Sequence, residues 1–253
     1  YIRDHDNGVT NFHFEIAADL LDKDELDLLS TMRPGLVQLE IGVQSTNEKT
    51  LEAIRRKTDI EEIREITETI NSWHNIYEME PEQLQLGFLK VLKGSYMEEL
   101  IPDCELLYSA APPYEVLRTK WISYGDVLEL KDIEEMTEVH YNSRQFTCTL
   151  KELEKEFDTP YEMFSFMAGY YNKNHLFGIS HSRIARYEIL WKIIQERLEK
   201  NGKCETQAMA ENVNISEKLE LYRDLLMTDL YLRENVKSRP TFARDLSSSK
   251  DFV

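Results

Sequence analysis

Residues 12–59 constrain the chain more than any other stretch, because they alternate twice in the manner of a strand and are interrupted and followed by helix-forming segments. In the first strand His13, Glu15 and Ala17 alternate with Phe12, Phe14 and Ile16; in the second Gln38, Glu40, Gly42 and Gln44 alternate with Val37, Leu39, Ile41 and Val43. Each strand therefore has one apolar and one polar face. A parallel strand covered by helices on both sides reads as a nearly continuous apolar run, so the polar second face implies a lumen or cleft in which small molecules are held. The stretch is expected to be a piece of parallel barrel wall.

The surrounding punctuation supports this order. Residues 1–11 are polar and carry the turn signal Asn7-Gly8. Asp22 with Glu25 three residues on is a capping box for a helix that Pro34-Gly35 ends. Thr46 or Asn47 caps a second helix, and Asp59 caps a third whose Ile60, Ile63, Ile66 and Ile70 form an apolar stripe. Residues 83–92 read as a further strand closed by Lys93-Gly94. Residues 95–123 mix a short helix around 97–100 with irregular chain, since Pro102, Pro112 and Pro113 each oppose regular helix. From Tyr124 onward capped helices dominate, with 150–157 the weakest of them. A polar connector is expected at 200–214, and a frayed or extended tail from 239.

The segments FEIAADLL, LEIGVQS and TLEAIRR resemble the second half of a radical SAM domain. The likeness is greatest to the branch that carries an N-terminal cobalamin-binding domain and an uncharacterised C-terminal region, whose opening LQLGFLKVLKG at 84–94 and PPYEVL at 112–117 resemble. The resemblance implies that Glu15 lines the S-adenosylmethionine pocket and that Gln44 contacts the ribose. It also implies that Arg56 pairs with the methionine carboxylate, a task suited to a planar guanidinium. The implied cofactors are S-adenosylmethionine and a four-iron, four-sulfur cluster, with cobalamin as a potential methyl carrier.

The family's cluster is held by a C-x3-C-x2-C run, and this sequence has none: Cys104, Cys148 and Cys204 are widely dispersed. The chain is thus expected to be a fragment beginning in mid-barrel, inactive alone and binding no cofactor by itself. A strand and loop of about twenty residues are also expected to be missing near 75–78, by the usual length of such a unit.

With 253 residues the chain can bury a substantial core. The fold class expected is an α/β partial TIM-like barrel remnant over 1–123, followed by an all-α helical C-terminal domain over 124–253. Thirty Lys and Arg against 47 Asp and Glu leave a formal charge of −17, which argues against generic nucleic-acid binding. No apolar run approaches a membrane span. Three dispersed cysteines suit free thiols in a reducing compartment, so a cytoplasmic location is expected. The substrate and the oligomeric state are not legible.

Further residues invite chemistry, and each has a plainer reading. Gln38 and Glu40 face the same side as Glu15 and are candidates to line a substrate cavity, or to be hydrogen-bonded scaffold. His13 is an acid–base candidate, since imidazole is the side chain suited to proton transfer near neutral pH, or a wall residue. The segment Pro112-Pro113-Tyr114-Glu115 is a candidate substrate-facing loop, or a rigid turn. His175 and His181, beside Tyr170 and Tyr171, have no metal-ligand spacing and suit a corner between helices. Tyr187, Trp191, Tyr222 and Tyr231 read as bundle core. Two rival readings of the whole stand beside the radical enzyme. One is a non-catalytic helical interaction module on a barrel remnant; the other is an ordinary TIM-type enzyme, which the lack of a Gly-rich phosphate loop disfavours.

Overall fold

Asp22 accepts a hydrogen bond from the Glu25 backbone N–H at 3.0 Å while the Glu25 carboxylate accepts from the Asp22 N–H at 2.9 Å, and this reciprocal box starts the first helix. The structure is a computed structural model that describes residues 1–16, 21–42, 81–202, 210–233 and 239–243. Contacts divide the chain into two compact units, Tyr1–Pro81 and Glu82–Val253. The expected helices after Thr46 and Asp59, and the expected discontinuity near 75–78, lie outside the described residues.

In the first unit β1 (Phe12–Ile16), α1 (Lys23–Ser30) and β2 (Val37–Ile41) form a strand–helix–strand unit. The strands pair in parallel, with Phe12 opposite Val37 and Ile16 opposite Ile41. A parallel pair cannot be joined by a hairpin, and α1 lies in the crossover between them. Arg33, just after α1, donates to Asp6 at 2.8 and 3.2 Å and to the Thr10 carbonyl at 3.2 Å. That grip holds the Asp6 carboxyl below the usual range and ties the leading loop to the turn before β2. Gly8, at φ 75°, makes the tight turn that Asn7-Gly8 foretold.

The second unit opens with extended chain. Residues 83–92, expected as a strand, form one isolated bridge, Lys90 opposite Glu115, flanked by hydrogen bonds from Val91 to the Tyr114 carbonyl and from Val116 to the Leu89 carbonyl. Gly94 comes next with φ 80°. Two single-turn helices, α2 (Tyr96–Glu99) and α3 (Ile101–Cys104), succeed it. The helix-opposing role expected of Pro102 does not hold: it occupies the first turn of α3, where its missing N–H has no partner to lose. The short strands β3 (Leu107–Tyr108) and β4 (Val116–Arg118) then pair antiparallel, and Val91, Leu106 and Val116 form a small core beneath them.

The rest is helical. A Ser123–Asp126 capping box opens α4 (Tyr124–Met136), which runs on as a π-helical segment, Thr137–Asn142. There follow α5 (Thr147–Leu153), a 3-10 turn Glu154–Glu156, α6 (Pro160–Lys173), α7 (Arg183–Gly202) and α8 (Ala210–Arg233). The connector expected at 200–214 is shorter than its polarity suggested, since α7 reaches Gly202 and α8 starts at Ala210. Packing of α8 on α7 and α5 sustains helix through residues of indifferent propensity.

The core of this unit holds Met136, Phe146, Leu153, Met167, Tyr187, Leu190 and Leu226, all fully enclosed. Tyr187, Trp191 and Tyr222 are buried as expected. Tyr231 is not: it is 50% exposed on the outer face of α8, because that helix is apolar on more than one side and spacing alone does not tell which side packs. Residues 82–123, grouped with the barrel part by their sequence, belong to the same compact unit as these helices. Among the described residues no helix is long and apolar enough to cross a membrane.

Candidate functional site

The parallel register of β1 and β2 decides which polar side chains meet. His13 lies opposite Gln38 and Glu15 opposite Glu40, so all four share one face, and all four are exposed. Like charges directly across a strand pair repel. Here the pair is relieved by solvent and by His13, whose Nε2 lies 3.0 Å from Glu40 Oε2. The apolar partners Phe12, Ile16, Val37, Leu39 and Ile41 are half-buried on the other side. The strand face thus offers carboxylates, an amide and an imidazole to any ligand that carries N–H or O–H donors or positive charge. Gln44 and Arg56, which the resemblance adds to this set, lie outside the described residues.

The candidate loop is built differently. Tyr114 adopts a left-handed backbone at φ 61°, its N–H donates to the Ala111 carbonyl at 2.9 Å, and its carbonyl accepts from Val91 at 2.9 Å. Glu115 turns its carboxylate onto Lys131 of α4 and keeps only 18% of its side chain exposed. The Lys131 ammonium also lies 5.0 Å from the centre of the Phe88 ring. Glu115 is thus engaged by the protein itself.

Two buried polar centres escaped the sequence reading. His140, in the π-helical segment, is wholly enclosed, with Nε2 3.3 Å from the Tyr171 hydroxyl and Phe146 tilted against its ring. Burial, and next the positive charge of Arg186, lower its pKa to about 3, so the ring is neutral; burial pushes the Tyr171 hydroxyl up to about 12. Ile133, Met136 and His140 stand at helical spacing, and that placement on an apolar stripe was the available signal.

The other centre is Asp229 of α8, which is fully buried. It accepts from the N–H groups of Cys148 at 3.0 Å and Thr149 at 2.8 Å, and from the Thr149 hydroxyl at 2.8 Å. α5 has no side-chain cap of its own, so a carboxylate from another helix satisfies its first turn. Nothing within 80 residues of sequence signals this.

Neither centre opens to a ligand, and the described cysteines do not suit a cluster. Cys104 packs against the Val91 core. In Cys148 burial, reinforced by Asp229, pushes the thiol pKa up, away from the thiolate that iron requires. His181 places Nε2 2.9 Å from the Leu176 carbonyl, as befits the corner between α6 and α7. Among the described residues no group of three or more His, Cys, Asp or Glu is placed to hold a metal ion.

Comparison with curated proteins finds no match. Comparison with solved structures finds none either. A family model does match, that described as "Protein of unknown function (DUF4080)", over residues 103–252, and by this match, which covers more than half of its length, the chain belongs to that family.

Proposed function

We propose that this chain is part of a radical SAM enzyme, in which the polar face of β1 and β2 borders the S-adenosylmethionine and substrate space of a partial TIM-like barrel and the helical unit is its C-terminal domain. The observation that carries the reading is the shared face of His13, Glu15, Gln38 and Glu40 on parallel strands joined by a helical crossover. In this reading Glu15, with Gln44 and Arg56, holds S-adenosylmethionine. His13, steadied by Glu40, is the group able to move a proton at the substrate. When bound elsewhere in the intact enzyme, a four-iron cluster would supply the electron for radical formation, and cobalamin is a candidate methyl carrier. The cysteines described here do not fit the cluster, and no step is assigned to it. The location proposed is cytoplasmic.

Equilibrium dialysis of the intact enzyme, of which this chain is a part, against S-adenosylhomocysteine tests the reading. Saturable binding that Glu15→Gln weakens supports it, and no binding, or binding indifferent to Glu15→Gln, counts against it. A second reading has its own observation: Leu221, Tyr231 and Leu232 are exposed along the outer face of α8, with Leu232 70% exposed. A helical interaction module would use such a face.

A further inference from the structure

Asn142, the last residue of the π-helical segment, treats Leu84 as a neighbouring strand would. Its Oδ1 accepts from the Leu84 N–H at 2.9 Å and its Nδ2 donates to the Leu84 carbonyl at 3.0 Å. Two residues on, Arg144 takes up a left-handed backbone at φ 56° and donates through Nε to the Glu82 carbonyl at 3.0 Å. The side chains that make these bonds are set by the turn: a π segment carries one residue more per turn than an α-helix and so redirects the residues after it. The Ser143 N–H accordingly reaches back to the Glu138 carbonyl five residues earlier, at 3.2 Å.

Beyond this anchor Leu84, Leu86 and Phe88 alternate inward while Gln83, Gln85 and Leu89 remain exposed. The far end is fixed as well. Val91 donates to the Tyr114 carbonyl at 2.9 Å, Val116 donates to the Leu89 carbonyl at 2.8 Å, and Lys131 joins Phe88 to Glu115.

We propose that residues 82–91 are a strap anchored at both ends, through which the π turn sets the position of the 109–115 loop. The strap has no regular ladder along its length, so it is held by the bonds at its two ends, and loosening one end frees the segment to pull away from the other. The coupling does not depend on what the loop binds. It is reciprocal, as any coupling between two equilibria must be.

Hydrogen exchange on the full chain tests it. Asn142→Ala removes both bonds to Leu84, and the expected result is an increase of about tenfold or more in exchange at the Leu84 amide, accompanied by a rise at the Val91 and Val116 amides. The Leu150 amide, bonded to the Phe146 carbonyl at the start of α5, should not change. A rise at Leu84 with Val91 and Val116 unaltered overturns the coupling, as does a Leu84 amide that exchanges freely in the wild type. Should Asn142→Ala unfold the unit, seen as lost protection at Leu150, Lys131→Met decides from the other end. It raises exchange at Leu84 if the strap couples its anchors, and leaves Leu84 as it was if it does not.

Discussion

Leu36 is the one fully buried side chain among the described residues of Tyr1–Pro81, whereas Glu82–Val253 encloses a core of more than twenty side chains, four of them polar. The contrast is clearest between two carboxylates. Glu15 stands exposed on a strand face opposite Glu40. Asp229 is wholly enclosed and accepts from backbone and side-chain donors of α5. A buried carboxylate with every oxygen engaged is held for architecture, because leaving it unpaired would cost several kcal/mol. An exposed carboxylate in register with a second one adds nothing to packing, so its presence calls for another explanation, and ligand binding is the one proposed.

The largest break in this comparison should come from Asp229. Replacing it with Ala strands the Cys148 and Thr149 donors, and the helical unit is expected to lose about 3 kcal/mol in urea unfolding, with Asp229→Asn losing about half as much. A loss below about 1 kcal/mol would mean that α5 finds another cap.

His140 supplies the next effect, and its sign is fixed by burial. Its folded pKa, about 3, lies below the ordinary 6.5, so the unfolded chain takes up the proton first. The stability it contributes is complete above about pH 6.5 and is lost as the pH falls from there toward 3, at up to about 1.4 kcal/mol per pH unit. Unfolding measured at pH 7, 6 and 5 should show this slope, and His140→Phe should flatten it. Arg186 adds to the effect, since its charge opposes a second cation nearby.

A smaller change is expected from Lys131→Met, about 1 kcal/mol, because Lys131 is itself partly exposed while Glu115 is left with a mostly covered charge. Adding Glu115→Gln to it should return part of that loss. At the bottom of the scale, Glu15→Gln and Glu40→Gln should each alter stability by no more than about 0.5 kcal/mol.

How legible each feature was depends on how local its causes are. The faces of β1 and β2 are written in a period of two, and the cap at Asp22 in a spacing of three; both came through directly. Residues 83–92 carry the same strand alternation, yet whether a strand forms depends on a partner, and Glu115 offers a single pairing. The π turn leaves no mark in residue type, and the bonds that Asn142 makes join it to Leu84, 58 residues away. The cap that Asp229 makes joins residues 80 apart, and in sequence Asp229 looks like any polar position on a helix. For the candidate site, the sharing of one face by His13, Glu15, Gln38 and Glu40 could be read in advance, but the His13–Glu40 contact could not, because it needed the register.

The central claim, that the strand face is for ligand and the helical core for architecture, is tested most directly by tracking backbone amide resonances of this chain within the intact enzyme as S-adenosylhomocysteine is added. The account predicts saturable shifts at residues 12–16 and 37–41, weakened by Glu15→Gln, with α5 and α8 unmoved. Shifts confined to the helical unit, or none at the strands at millimolar ligand, would contradict it.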